Sequence, residues 1–296
     1  MKKDLITIKD LTRAEINELF ELASKLKLSR KTHEVLLKNK TLGLVFEKPS
    51  NRTRVSFEVG MSELGGNSIY LGSGEIELGK REAVKDAAKV LSRYLDVIVV
   101  RTFSHSRLIE FAEHSTAPVI NGLTDLLHPC QGLSDVFTIK EKKGLKGITV
   151  AFIGDGNNVA NSLLYACNKM DIKVKMACPG GYGPDKAVIK EVGDTVSFFN
   201  SVDVAVKDAD VIYTDVWTSM GKEKEREKRL KAFKGFQLNA KLLKLAKKDA
   251  VIMHCLPAHR GEEITDEVLD SKQSIVVDQA ENRLHVQKAI LVKLLK

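Results

Sequence analysis

Thr41-Leu42-Gly43-Leu44-Val45-Phe46, followed by Glu47-Lys48-Pro49-Ser50-Asn51-Arg52-Thr53-Arg54, is the stretch on which the reading of the fold turns. The first six residues form an apolar run of strand length. A polar turn rich in hydroxyls and arginines closes it, and a helix is expected from near Arg52. Upstream, Thr12 and Glu15 make a capping box, and Ile16, Leu19, Phe20, Ala23 and Leu26 follow at helical spacing. Downstream, strands are expected at Ser68 to Leu71, Val97 to Arg101 and Pro118 to Asn121, separated by helices at Glu82 to Tyr94 and Ser104 to His114. A helix from Gln131 to Lys142 leads to Lys143-Gly144-Leu145-Lys146-Gly147, a basic, glycine-punctuated link. The alternation then restarts, with strands at Ile148 to Ile153, Lys173 to Ala177, Val196 to Phe199, Val211 to Thr214 and Val251 to His254, and a last helix from Gln279 to Leu295. Strands alternating with helices predict an α/β protein with parallel sheets covered on both faces. Two doubly wound blocks are expected, joined near residues 138 to 147.

The 296 residues are comfortable for two such domains. Hydrophobic residues are 43%, charged residues 29% and prolines six, which excludes disordered and fibrous classes. The net charge of +8 is spread along the chain. Its densest run, Lys222 to Lys234, alternates with Glu223, Glu225 and Glu227 and reads as a solvated helical face, not a nucleic-acid stripe. Cys130, Cys167, Cys178 and Cys255 form no CxxC pair, so reduced thiols in a cytoplasm are expected. Met1 to Asp10 carries no apolar segment of secretory type, and no run has membrane-span length. No nucleic-acid or membrane partner is expected.

The chemistry concentrates at strand ends. Ser50-Asn51-Arg52-Thr53-Arg54 places hydroxyls and guanidiniums at a helix N-terminus, where unpaired N–H groups attract a phosphate. The competing reading is a plain N-cap with two solvated arginines. Arg101 closes the run Val97 to Val100, at the end of a strand where open α/β sheets bind ligands or cap themselves. In His128-Pro129-Cys130-Gln131 a neutral His suits a carbonyl oxygen and Gln131 suits an amide-like NH₂; no base for a Cys130 nucleophile can be inferred. Gly154-Asp155-Gly156-Asn157-Asn158 fails the dinucleotide fingerprint, because Val159 holds the third glycine position. Its asparagines suit a carboxylate or zwitterion. Asp215 to Gly221 and His254 to Gly261 leave two further strands; Asp215 suits an ammonium, and Cys255 a substrate contact or proton shuttle. The spacing of His254, Cys255 and His259 matches no standard zinc pattern, so no metal is expected.

Taken together, SNRTR at 50–54, HPCQ at 128–131, DVWTSMG at 215–221, HCLPAHRGEEI at 254–264 and AENR at 280–283 resemble the ornithine carbamoyltransferases, in order and interval along nearly the whole chain. The resemblance implies a carbamoyl-phosphate-binding domain, residues 1–137 with the C-terminal helix 279–296 packing back on it, and an ornithine-binding domain, residues 138–278. It implies a homotrimer or an assembly of trimers with active sites near subunit boundaries, and no cofactor or metal. By motif, Ser50, Asn51, Arg52, Thr53, Arg101, His128, Pro129, Cys130, Gln131 and Arg283 should hold carbamoyl phosphate; Asn158, Asp215, Ser219 and Met220 should hold ornithine; and Cys255 and Leu256 should meet both ligands. Arg52, Arg101, His128 and Cys255 are the expected catalytic set. Asn51 stands where many members carry Thr, and Glu77, counted in the carbamoyl-phosphate set, where many bacterial members carry Gln. An acid repels phosphate, so Glu77 is expected to point away and Lys80 or Arg81 to supply the cation, Arg81 ranking first.

The implied reaction needs a neutral amine, whose free pKa is near ~10. Asp215 is expected to anchor the α-ammonium while Cys255 manages protons. Arg52, Arg101, His128 and Thr53 would stabilise charge on the carbonyl oxygen. Carbamoyl phosphate is expected to bind first. Rival readings are a carbamoyltransferase for putrescine, acylated ornithine or aspartate, a nicotinamide dehydrogenase, and a non-catalytic binding paralogue.

Overall fold

The computed structural model describes residues 3–30, 35–219 and 221–296. The chain divides into two compact units, Met1–Ser134 with Glu281–Lys296, and Asp135–Ala280. In chain order the first unit contains α1 (Arg13–Leu28), β1 (Thr41–Phe46), α2 (Asn51–Glu63), β2 (Asn67–Leu71), α3 (Val84–Tyr94), β3 (Val97–Arg101), α4 (His105–His114) and β4 (Val119–Leu123). Helix α5 (Pro129–Lys143) leads into the second unit: β5 (Thr149–Ile153), α6 (Asn158–Lys169), β6 (Lys173–Ala177), α7 (Lys186–Val192), β7 (Val196–Phe198), α8 (Val202–Val206), β8 (Val211–Thr214), α9 (Arg226–Ala232), α10 (Ala240–Leu243), β9 (Val251–His254) and α11 (Asp266–Leu269). Helix α12 (Val276–Leu295) returns the chain to the first unit.

The predicted capping box opens α1: the Glu15 N–H donates to Thr12 Oγ1 at 3.2 Å and the Thr12 N–H to Glu15 Oε2 at 2.8 Å. Beyond it Ile16, Leu19, Phe20, Ala23 and Leu26 are all buried. In the first unit the strands run parallel in the order β2-β1-β3-β4. Every residue of β3 is buried, as a parallel strand covered on both faces requires. Val45, Ile98 and Val100 pack with Ala87 and Ala88 of α3 and Leu108 and Phe111 of α4 into one core cluster. Helix α12 approaches α2 at Gly60, where an added Cβ would meet Lys288 Cγ at 3.1 Å and Leu284 Cδ1 at 3.4 Å. The Lys288 ammonium is itself buried and paired with Glu63 at 2.7 Å. The C-terminal helix thus folds back on the first unit as expected.

The second sheet is also parallel, in the order β7-β6-β5-β8-β9. Ala151 and Ile153 of β5, Ile212 of β8 and Ile252 of the edge strand β9 pack with Leu238, Leu242, Ile264 and Val268. The strand order changes direction between β1 and β3 in the first sheet and between β5 and β8 in the second. Ligands of such sheets bind at those crevices, beyond the carboxyl ends of the strands.

The division between the units falls inside α5, at Ser134/Asp135, three residues before the expected boundary of 137/138. Gly144 and Gly147, at φ 73° and 70°, end a helix whose last turns already belong to the second unit. The run 222–234 is not simply a solvated face: it is a short 3-10 turn followed by α9, in which Arg229 is only 4% exposed. Elsewhere helix and strand ends move by a few residues. His128-Pro129 opens α5, with proline at the first helical position where its missing N–H costs nothing.

Candidate active site

The first unit's crevice is built from the tip of β1, the tip of β3, the start of α5 and one turn of α12. Ser50 caps α2 by accepting the Thr53 N–H at 3.3 Å. Asn51 and Arg52 follow in the first helical turn with exposed side chains, and Thr53 is buried. Arg283, 4% exposed, donates from one terminal nitrogen to Thr53 Oγ1 at 2.9 Å and from the other to Gln131 Oε1 at 2.6 Å. One guanidinium therefore ties the SNRTR turn to the HPCQ turn. Arg101 and His128 are buried at 8% and 4% exposure. Burial first, then the charges of Arg283 and Arg101, hold the His128 pKa well below its ordinary value. His128 is thus neutral at physiological pH, and Arg101, Arg283 and His128 share one small region. Cys130 lies in the same region, but burial pushes its thiol up to about 12, and its Sγ faces the Asn121 carbonyl at 3.6 Å. It is inert as a nucleophile.

The β1 tip is braced from behind. Glu47 accepts Arg107 at 3.0 Å and also bonds Thr102. Lys48, 3% exposed, pairs with Asp125 and lies 4.1 Å from the centre of the Phe103 ring. The sequence reading assigns these residues no role, since single charges in a turn give no spacing signal. Glu77 lies in the loop between β2 and α3 and is exposed, as are Lys80 and Arg81. The Lys80 and Arg81 backbone N–H groups donate to the Glu77 carbonyl at 3.0 and 3.1 Å.

The second unit's crevice carries a different chemistry. Asp215, just past β8, is 3% exposed. Its Oδ1 accepts the Cys255 thiol at 3.0 Å and its Oδ2 accepts Asn157 Nδ2 at 2.7 Å. Asn157 also caps α6, accepting the N–H groups of Val159 and Ala160. Of the two asparagines read as ligand contacts, Asn157 is therefore spent on the fold, and the half-buried Asn158 opens the helix. Leu256, after Cys255, has φ 58°, an unusual value for a residue with a branched side chain. Its N–H donates to His254 Nδ1 at 2.9 Å, so His254 carries its proton on Nε2 and donates to Glu263 at 2.9 Å. Donor atoms of Asp215, His254 and Cys255 lie within 4.8 Å of one another, yet both ring nitrogens of His254 are already engaged. Ser219 is half-buried, with its carbonyl accepting the Lys222 N–H at 3.0 Å. Met220 lies outside the described residues.

Behind the Asp215 loop stands Arg229. It donates to the Trp217 carbonyl at 2.9 Å, pairs with buried Asp155 at 3.0 Å and lies 5.0 Å from the centre of the Tyr182 ring. Burial raises the Asp155 pKa, and Arg229 opposes that rise. Gly156 has no room for a side chain: a Cβ would meet the Gly183–Pro184 backbone at 2.1–2.2 Å.

Comparison with known proteins gives the family. Residues 3–141 match the carbamoyl-P binding domain of the aspartate/ornithine carbamoyltransferases, and residues 146–294 match their Asp/Orn binding domain. An ornithine carbamoyltransferase of Archaeoglobus fulgidus is 54% identical, covering 99% of this chain and 97% of its own. One from Syntrophus aciditrophicus is 53% identical, covering 98% and 99%. The solved ornithine carbamoyltransferase of Pyrococcus furiosus superposes with a TM-score of 0.94 at 51% identity, covering 97% of this chain and 95% of its own. With two family domains matched in order and half of all residues shared over the full length, this chain belongs to the aspartate/ornithine carbamoyltransferase family.

Proposed function

We propose that this protein transfers the carbamoyl group of carbamoyl phosphate to the side-chain amine of L-ornithine, giving L-citrulline and phosphate. The observation that carries the reading is the single Arg283 guanidinium joining Thr53 to Gln131 beside Arg101 and neutral His128, in a chain matched by both family domains. In this reading the α2 N-terminus, with Ser50, Asn51, Arg52 and Thr53, receives the phosphate. Arg101, His128 and Gln131 orient the carbamoyl group, with Pro129 and Cys130 shaping the turn. Asn158, Asp215, Ser219 and Met220 take the amino acid, and Cys255 and Leu256 face both ligands. The neutral amine attacks the carbamoyl carbon. The new C–N bond forms, the C–O bond to phosphate breaks, and the proton on the nitrogen passes to the leaving phosphate. Charge growing on the carbonyl oxygen meets preorganised donors, each worth on the order of 3 kcal/mol of barrier.

We assign the assembly as a homotrimer or an array of trimers. Val55 and Val59 of α2 and Ile69 of the edge strand β2 leave an apolar strip exposed on the first unit, which supports a subunit contact there. No helix among the described residues is long and apolar enough to cross a membrane. Four free thiols support a reducing, cytoplasmic setting.

The test is a citrulline colour assay on purified protein with carbamoyl phosphate and, in parallel, ornithine, putrescine, acetylornithine and aspartate. Product with ornithine alone is expected; no carbamoylated product from any acceptor would sink the proposal. Sedimentation in the same buffer should give a trimer or a multiple of it.

A further inference from the structure

Helices α5 and α12 each carry a pair of polar residues four positions apart: Gln131 and Asp135 on one, Gln279 and Arg283 on the other. Residues so spaced lie one turn apart on the same helical face. In the first unit Arg283 donates to Gln131 at 2.6 Å. In the second unit Gln279 Nε2 donates to Asp135 Oδ1 at 2.7 Å. The same Nε2 lies 3.0 Å from the Tyr213 hydroxyl, which donates to Asp135 Oδ2 at 3.1 Å. Burial, then Asp135, pushes the Tyr213 pKa well above its ordinary value, so the hydroxyl keeps its proton. The other end of Gln279, Oε1, accepts the His254 N–H at 2.9 Å. Asp135, Tyr213 and His254 have no exposed surface, and Gln279 has 1%.

The proposed reaction uses none of Asp135, Tyr213 and Gln279, yet burying so much polar surface is costly unless every member is satisfied. Tyr213 lies on β8 and His254 ends β9, the strands just past which Asp215 and Cys255 stand with their side chains 3.0 Å apart. We infer that Gln279 and Asp135 are positioning residues of the transfer, which fix the ends of β8 and β9 and with them the Cys255–Asp215 pair. The inference rests on the proposed function, and it assigns the alignment of that pair to two specific side chains.

Gln279→Glu tests it. That change keeps an acceptor for the His254 N–H but sets a carboxylate against Asp135. The double variant Asp135→Asn with Gln279→Glu restores one donor and one acceptor across the same gap. Three readouts are taken: steady-state constants, carbamoyl phosphate affinity, and the rate of Cys255 alkylation by iodoacetamide, followed by peptide mass. In the single variant kcat/KM for ornithine should fall at least ten-fold, while carbamoyl phosphate affinity changes less than three-fold. Cys255 alkylation in the single variant should differ several-fold from the wild-type rate. The double variant should recover most of both effects. Unchanged ornithine kinetics in Gln279→Glu would overturn the inference, as would equal losses for both substrates with the alkylation rate unchanged. A wild-type protein that makes no citrulline would instead defeat the proposed function.

Discussion

Arg283 shows how one side chain gathers the proposed phosphate site. It lies 152 residues from Gln131 and 230 from Thr53, and it bonds both. A lysine keeps the charge but cannot fork to two acceptors. Arg283→Lys should therefore lower kcat/KM for carbamoyl phosphate about 100-fold, in line with the loss of one preorganised donor; a change under three-fold would remove Arg283 from the proposed site. Arg52 lies in the first turn of α2 with an exposed side chain, where its proposed role is to meet the phosphate. Arg52→Ala should abolish most citrulline formation while circular dichroism stays native. Glu77 is the oddity. If its loop reaches a phosphate in the assembled protein, Glu77→Gln should lower KM for carbamoyl phosphate, roughly two- to five-fold and more strongly at low ionic strength. A salt-independent KM would separate Glu77 from the phosphate.

Elements, more than single residues, hold the proposed ornithine site. The segment after β8 carries Asp215, Trp217 and Ser219. Helix α9 braces it through Arg229, which bonds the Trp217 carbonyl and the Asp155 carboxylate while stacking near Tyr182. Breaking a buried ion pair leaves an uncompensated charge and costs about 3–5 kcal/mol. Arg229→Met should thus lower the melting temperature and raise KM for ornithine, with KM for carbamoyl phosphate little changed. Adding Asp155→Asn should return part of the stability by removing the stranded charge, without returning ornithine affinity. Thermal melts and initial rates on the two variants check both parts. Recovery of ornithine affinity in the double variant would mean that the loop needs no brace from α9.

Among the described residues, three histidines sit where protonation is resisted: half-buried His105 on α4, buried His128 at the start of α5 and buried His285 on α12. Burial is the leading cause at each. Their folded pKa values lie below the ordinary 6.5. The unfolded chain therefore binds more protons below about pH 6.5, and stability falls as pH drops from there through the folded values. Denaturant midpoints measured from pH 7.5 down to 5 should decline, and His128→Gln should flatten the decline; a pH-independent midpoint would contradict the linkage. The sequence by itself determined the alternation of strands and helices, the capping box at Thr12, two parallel sheets and the family, because hydrophobic period, turn chemistry and motif order are local properties of the chain. It also named Thr53, His128, Gln131, Asp215, Cys255 and Arg283 as site residues through motifs. Only the tertiary structure decided that Arg229 is buried within a charged run, that Asn157 is consumed as a cap, that the units divide inside α5, and that Asp135, Tyr213 and Gln279 form a network. Each of those depends on which distant residue supplies a partner or excludes water, and no local pattern encodes that.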